Sequence, residues 1–263
     1  MRRFGLVAVA GILMLALTLS PVSGADRDLT EVHLANGLVY YALGFTEMAV
    51  GELRRACELD PTNTDARIAL GVAYHDRGEA NGALQAYHDV LRIDGDSPYV
   101  HGLIGDVYRS QGDYERAKNH YLKAREDEEL VAIPCYGLGV LAEEAQDQTS
   151  AMEYYREVLD AAPDHVDTAL RLAGLLKETG DIDGALQVLT EANRYNPREP
   201  EIHYQWGLLY LQKEAYSEAF HEFDRVLQLQ SGHPGAQQEL RRLEQMLQDR
   251  VEPSSDPSSK NNI

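Results

Sequence analysis

A period of 34 residues runs through most of the 263-residue chain and constrains its fold more than any other feature. Position 20 of each full unit is alanine, position 8 is glycine in five units of six, and position 24 is large and apolar. A unit of this length cannot bury its apolar face alone, so neighbouring units must stack. Full units begin, without any insertion, at Thr30, Thr64, Pro98, Ala132, Val166 and Pro200, and a partial unit begins at Pro234.

Each unit is expected to contain two antiparallel helices, helix A over about positions 1–14 and helix B over about positions 17–30. Glycine at position 8 and alanine at position 20 allow the two helices to approach closely, and the large residues fill the remaining gap. Proline at position 32 cannot continue helix B. Position 15, where helix A should end, is glycine in four repeats but Gln146 and Glu214 in repeats 4 and 6.

These residues resemble the tetratricopeptide repeat family, whose pattern is W-x2-L-G-x2-Y, then A-x3-F, then P. Repeat 6 carries it as His203, Trp206, Gly207, Tyr210, Ala219 and Phe223. The resemblance implies an all-α fold, a right-handed α-solenoid (superhelix) of antiparallel helix pairs with a C-terminal capping helix. It gives repeats 30–63, 64–97, 98–131, 132–165, 166–199 and 200–233, and a capping helix over 234–250.

The first 25 residues are typical of a secretory signal peptide. Arg2 and Arg3 precede an apolar run, Phe4 to Leu19, and small residues follow Pro21. We expect cleavage after Gly24 or Ala25 and a periplasmic or secreted protein, with an uncleaved membrane anchor as the alternative. The solenoid then spans 26–250, and 251–263 has no apolar period and is expected to be disordered.

Composition excludes several classes of function. The net charge of −19 argues against nucleic-acid binding, which needs clustered Lys and Arg. The 2 cysteines, Cys57 and Cys135, lie more than two repeats apart and are expected to be free thiols. Acidic chains prefer basic partners, although this preference is weak.

The chain has no catalytic motif, and we expect a protein that is not an enzyme and uses no cofactor or metal. The fragment His221-Glu222 lacks a second histidine, and Asp181-x-Asp183-Gly184 lacks the twelfth-position glutamate of a calcium loop. Three histidines share position 4 of different repeats, where the family packs an aromatic ring, and are interpreted as structural: His33, His101 and His203.

The resemblance places the working surface in the groove lined by helix A of successive repeats. Aromatic and aliphatic residues with flanking carboxylates there suit a peptide with apolar anchors and some basic charge. The clamp for a chaperone's C-terminal carboxylate is absent, because Leu34, Leu38, Ala69, Tyr99 and Leu103 occupy its positions. The predicted groove residues are Tyr41, Val72, Asp76, Tyr99, Asp106, Arg109, Tyr136, Val140, Glu143, Tyr204 and Leu208.

The sequence therefore predicts an exported, non-catalytic adaptor that binds a protein or peptide partner and supports assembly of an envelope, secretion or pilus complex. One alternative is an accessory subunit or small-ligand carrier of an extracytoplasmic enzyme system. Its candidate polar cluster is Asp106, Arg109, Glu143 and Glu144. In another alternative, the repeats stack or pair with themselves.

Overall fold

Each repeat folds into two helices in the computed structural model, which describes residues 25–127 and 130–251. The helices of these residues are α1 (Ala25–Ala42), α2 (Thr46–Leu59), α3 (Thr64–Asp76), α4 (Ala80–Asp94), α5 (Pro98–Ser110), α6 (Tyr114–Ala124), α7 (Ala132–Glu144), α8 (Gln148–Ala161), α9 (Val166–Glu178), α10 (Ile182–Tyr195), α11 (Pro200–Gln212), α12 (Tyr216–Leu229) and α13 (Pro234–Val251).

The helix boundaries follow the 34-residue period. In repeats 2 to 6, helix A begins at the predicted first residue of the repeat. The largest differences from the prediction are that α1 begins at Ala25 rather than at Thr30 and that α6 ends at Ala124, three residues before position 30 of its repeat. The all-α solenoid of antiparallel helix pairs is thereby confirmed.

Local chemistry explains where the helices start and stop. The side chains of Asn63 and Asp113 accept hydrogen bonds from Ala66 and Arg116 backbone N–H groups, which caps α3 and α6. After helix A, position 15 adopts the left-handed region, with φ of 76–86° at Gly44, Gly78, Gly112 and Gly180. Gln146 (φ 59°) and Glu214 (φ 57°) keep this conformation although they have side chains.

Close approach of the paired helices depends on glycine at position 8. A Cβ atom on Gly71 would lie 2.3 Å from Cε1 of Tyr87, and one on Gly207 would lie 2.4 Å from Cε1 of Phe223. The position-20 alanines are fully buried. The predicted packing of small residues against a large position-24 side chain is therefore confirmed.

The described helices form two compact units: α1–α7 belong to the first unit, which ends at Ala145, and α8–α13 to the second, which starts at Gln146. In the second unit, α13 buries Ala236, Leu240 and Leu243 against α12. This helix covers the region predicted to cap the repeats.

No described helix is both long and apolar enough to cross a bilayer. The predicted leader, residues 128–129, the Leu247 side chain and the tail from residue 252 lie outside the described residues.

Candidate functional site

The predicted groove residues of the first unit lie on helices α1, α3, α5 and α7. Tyr41, Val72, Tyr99, Tyr136 and Glu143 are half-buried, as are Asp106 and Arg109, while Asp76 is exposed. Residues that are half-buried on a helical scaffold are held in fixed positions but still reach solvent, as a binding surface requires.

A hydrogen-bonded network joins α5 to α6. The hydroxyl of Tyr121, at position 24 of repeat 3, donates to Oδ1 of Asp106 at 2.6 Å. Nε of Arg109 donates to the Tyr121 hydroxyl oxygen at 3.1 Å, and Nη2 of Arg109 lies 3.3 Å from the same Asp106 oxygen. Burial and the Asp106 carboxylate raise the pKa of Tyr121 well above its usual value, so its hydroxyl stays neutral and donates.

A second contact joins repeats 1 and 2 across the same surface. The hydroxyl of Tyr41 donates to Oδ2 of Asp76. Burial, with the Asp76 contact, raises the pKa of Tyr41. The Tyr99 hydroxyl is also kept neutral, because burial and the charges of Asp106 and Asp65 raise its pKa.

The hydroxyl of Tyr87 is buried without a hydrogen-bond partner. Tyr87 occupies position 24 of repeat 2, as Tyr121 does in repeat 3, but Val72 stands where Asp106 stands. His75, which replaces Arg109, instead contacts Oγ of Ser110 at 3.3 Å. Burial raises the pKa of Tyr87, and Tyr99, Asp106, Asp76 and Tyr41 add to this effect in that order. The Tyr87 side chain is therefore close to the other polar groups of the surface.

We call these groups the groove cluster. It combines aromatic rings with two aspartates at fixed positions. Tyr87 and Tyr121 are fully buried, so the half-buried Tyr41 and Tyr99 and the exposed Asp76 are among the groups that reach solvent. Carboxylates and exposed ring faces are groups that suit ammonium and guanidinium ions. Arg109 neutralises part of the Asp106 charge, whereas Asp76 is bonded to the neutral hydroxyl of Tyr41. The groove cluster consists of Tyr41, Asp76, Tyr87, Tyr99, Asp106, Arg109 and Tyr121.

Three other predicted residues are not part of the groove cluster. Val140 is only 8% exposed, so little of its side chain reaches solvent, and its place in the groove stays a prediction. Tyr204 and Leu208 lie in the second unit against its C-terminal core cluster. The ring of Tyr204 lies 4.8 Å from that of His233, between centroids, next to the start of α13. These contacts show a packing role that the sequence prediction did not include.

Sequence reasoning missed the parts played by Tyr87 and Tyr121, because position 24 was interpreted only as core. A signal was present: tyrosine rather than leucine at a core position brings a hydroxyl that needs a partner. Position 9 gives a second signal: it is Val72 in repeat 2 but Asp106 in repeat 3, and the aspartate supplies an acceptor for the tyrosine hydroxyl.

The position-4 histidines contact helix B of their own repeat. Nδ1 of His33 lies 2.6 Å from Glu52, and Nδ1 of His203 lies 2.7 Å from Glu222. His101 contacts His120 at 2.9 Å and Asp96 at 2.6 Å. These contacts give each histidine a role in joining the helices of its repeat, and within the described residues no group of three or more His, Cys, Asp or Glu is arranged to hold a metal.

The calcium-loop-like segment and the cysteines were the other candidates for metal binding or reactivity. Asp181 caps α10 by accepting from the Gly184 N–H at 2.9 Å, and Asp183 pairs with Lys213 at 2.6 Å. Cys57 and Cys135 are free thiols, as predicted. Burial raises the pKa of Cys57 to about 11, which makes this thiol a poor nucleophile at neutral pH.

Comparison with known proteins agrees with this geometry. Models described as tetratricopeptide repeat match residues 142–204, 103–166 and 64–93, and a TPR repeat model matches 37–78. The type IV pilus assembly protein PilF of Pseudomonas aeruginosa is 30% identical over 149 residues. That alignment covers 56% of this chain and 59% of PilF, less than two thirds of the relative.

Solved structures show the same fold. The structure of Pseudomonas aeruginosa PilF matches with a TM-score of 0.68 at 23% identity, over 83% of this chain and 100% of that one. PilW, a type IV pilus biogenesis factor, matches with 0.67 at 14% identity, over 80% of this chain and 98% of that one. YrrB, a TPR protein with an unusual peptide-binding site, matches with 0.53 at 20% identity, over 72% and 97%.

Proposed function

The chain belongs to the tetratricopeptide repeat family, and from this premise we propose that it is an exported, non-catalytic adaptor that binds a protein partner through the groove cluster. The observation that carries the proposal is the groove cluster itself. It places two carboxylates among tyrosines held by internal hydrogen bonds.

The chemistry of the cluster indicates the partner. Neutral tyrosine hydroxyls and the exposed Asp76 carboxylate favour a segment that carries lysine or arginine beside an apolar or aromatic anchor. The net charge of −19 attracts such a segment over a longer range.

The relatives support a role in assembly. PilF is a pilus assembly protein and PilW a pilus biogenesis factor, and both share the fold with this chain. We infer that the adaptor supports assembly of a pilus or another complex of the cell envelope, by similarity to these proteins.

A charge-reversal experiment tests the groove. The exported chain is purified from its native cells with its bound protein, and the complex is rebuilt with Asp76→Lys and with Glu115→Lys. Glu115 is an exposed glutamate on α6, outside the cluster, so both variants change the total charge equally. We expect at least tenfold weaker binding for Asp76→Lys alone, with unchanged circular dichroism. Equal affinities of the two variants would refute the groove as the binding site.

Export is tested by N-terminal sequencing of the protein recovered from the cell envelope. We expect a mature chain that starts at Ala25 or Asp26. A protein recovered from the cytosol with Met1 intact would contradict export.

The described residues give the small-ligand alternative less support than the adaptor. Asp106 and Arg109, half of its candidate polar cluster, bond to each other and to Tyr121. A surface depression of about 440 Å³ is lined by turn residues 78–82 and by Gln111, none of which belongs to the groove cluster.

A further inference from the structure

The face of α1 that points away from its own core is apolar. Leu34 and Leu38, on the core side, are 7% and 2% exposed. On the opposite side, Leu29, Val39 and Leu43 are 48%, 49% and 63% exposed, and Val32 is 52% exposed. An 18-residue helix that is apolar on two faces has a second helix to pack against, since a surface helix needs only one apolar face.

The exposed residues follow a heptad. Positions 29, 32, 36, 39 and 43 are separated alternately by three and four residues, the spacing of a coiled-coil seam. The middle position is Asn36, which is exposed and bonds to Glu52 through one of its amide hydrogens. Its remaining hydrogen-bonding capacity can pair with a second asparagine. A single asparagine within an apolar seam is a device that specifies register and number of helices.

The seam is free of acidic residues although the chain carries a charge of −19. Ala35 and Ala42 flank it on one side, and His33 and Tyr40 on the other, while the same two flanking positions one heptad earlier are Asp28 and Asp26. The carboxylate of Glu52 on α2 bonds to both His33 and Asn36, so it lies beside the middle of the seam. Pairing of two copies brings the two Glu52 carboxylates towards each other, so the apolar contacts of the seam have to outweigh their repulsion.

The exposed apolar area is large enough for a dimer. Phe45 and Met48, 51% and 46% exposed, extend the patch beyond the end of α1. At on the order of 100 Å² for each of the six side chains, two copies would bury roughly 1,200 Å², above the ~1,000 Å² of a specific interface. By contrast, α13 exposes the charged side chains of Arg241, Arg242 and Glu244.

We propose that α1 is the dimerisation helix of this protein, and that it pairs with α1 of a second copy so that Asn36 lies opposite Asn36. In a parallel pair each seam residue lies opposite its own copy, so Asn36 meets Asn36 and the apolar residues meet one another. This surface is separate from the groove cluster, so the dimer would present two partner-binding grooves.

Sedimentation velocity of the exported chain over a range of concentrations tests the pairing. We expect a concentration-dependent monomer–dimer equilibrium for the wild type. Val39→Glu combined with Leu43→Glu should weaken it at least tenfold without changing the circular dichroism spectrum. Leu122→Glu, which charges a 42%-exposed leucine on α6, is the matched control and should dimerise like the wild type.

Crosslinking locates the seam. Asn36→Cys should form an intermolecular disulfide under mild oxidation, because the two positions face each other, whereas Gly51→Cys on exposed α2 should not. The proposal would be overturned if the wild type stayed monomeric up to about 100 µM, or if the glutamate variant dimerised as strongly as the wild type. It would also be overturned by a crosslink at position 51 but not at position 36, or by capture of a different protein's helix by a monomeric chain.

Discussion

The same residue type at the same repeat position has different consequences in neighbouring repeats. Tyr121 donates to Asp106 and accepts from Arg109, whereas the buried Tyr87 hydroxyl finds no partner because Val72 replaces the aspartate. A buried hydrogen bond stabilises a protein modestly, while an unpaired buried hydroxyl destabilises it.

Removal of each hydroxyl should therefore have opposite effects. Tyr121→Phe is expected to lower the free energy of unfolding by about 1–2 kcal/mol, since it leaves Asp106 and Arg109 without their shared partner. Tyr87→Phe should be neutral or slightly stabilising. Urea denaturation of the two variants checks this, and equal losses of stability would contradict the assignment of the network.

A histidine pair between α5 and α6 makes stability depend on pH. Burial, followed in order by the charges of His101, Lys123 and His88, lowers the pKa of His120 to about 4. The unfolded pKa of histidine is about 6.5, so the unfolded chain binds the proton first. The stability from the neutral His120 is present above about pH 6.5 and is lost as the pH falls towards 4.

Replacement of this histidine should flatten the pH dependence. We expect His120→Asn to show a smaller loss of stability between pH 7 and pH 4.5 than the wild type, in urea titrations at several pH values. His221→Gln, at an exposed histidine on α12, is the control. A wild-type slope in His120→Asn would contradict the buried neutral state.

At the scale of the helix pair, the turn after helix A is built on one backbone conformation whatever residue occupies it. In repeat 3 the Asp113 N–H bonds to Tyr108 O at 2.9 Å, and in repeat 6 the Ala215 N–H bonds to Tyr210 O at the same distance. This is the Schellman hydrogen bond that ends a helix with a left-handed residue. Gln146 and Glu214 therefore adopt a left-handed conformation that favours glycine.

Glycine at these turns should stabilise the protein. Gln146→Gly and Glu214→Gly are each expected to raise the free energy of unfolding by about 0.5–1 kcal/mol, because the left-handed strain outweighs the extra freedom of glycine in the unfolded chain. Gln187→Gly in the middle of α10 should instead destabilise by about 1 kcal/mol. Thermal melts compare the three variants, and destabilisation by the first two would exclude strain at the turn.

The interface within a helix pair has no room for one methyl group. Gly71→Ala would bring its Cβ within 2.3 Å of the fully buried Tyr87 ring, so we expect a loss of about 1–3 kcal/mol despite the better helix propensity of alanine. Gly51→Ala, on the open face of α2, should gain up to about 1 kcal/mol. Denaturant midpoints of the two variants show whether the clash with Tyr87 outweighs the helix propensity of alanine. A stabilised Gly71→Ala would contradict the observed packing.

At the scale of the whole molecule, periodicity predicted most of the fold and little of the site. The starts of α3, α5, α7, α9 and α11 follow from the repeat alone, because stacking imposes the same helix pair on each unit. The extension of α1 to Ala25 could not be predicted, since residues 25–29 do not follow the pattern of the repeat. The exposed heptad of α1 could not be predicted from the repeat either, because the repeat positions describe only the face of each helix that packs inward.

The groove cluster was predicted in part. Their repeat positions identified five of its seven residues: Tyr41, Asp76, Tyr99, Asp106 and Arg109. Repeat positions record how helices pack and not which hydroxyl meets which carboxylate. Those contacts depend on side-chain reach between neighbouring helices. Burial of Val140 likewise depends on how closely neighbouring helices pack, which the position within the repeat does not reveal.

The most direct test of the adaptor function is photocrosslinking in the native cell, with a photoreactive phenylalanine analogue at Tyr99 in one strain and at Leu122 in another. Tyr99 belongs to the groove cluster, whereas Leu122 lies exposed on α6. The account predicts a discrete covalent adduct with one envelope protein from position 99 and none from position 122. Adducts from position 122 without any from position 99 would contradict it.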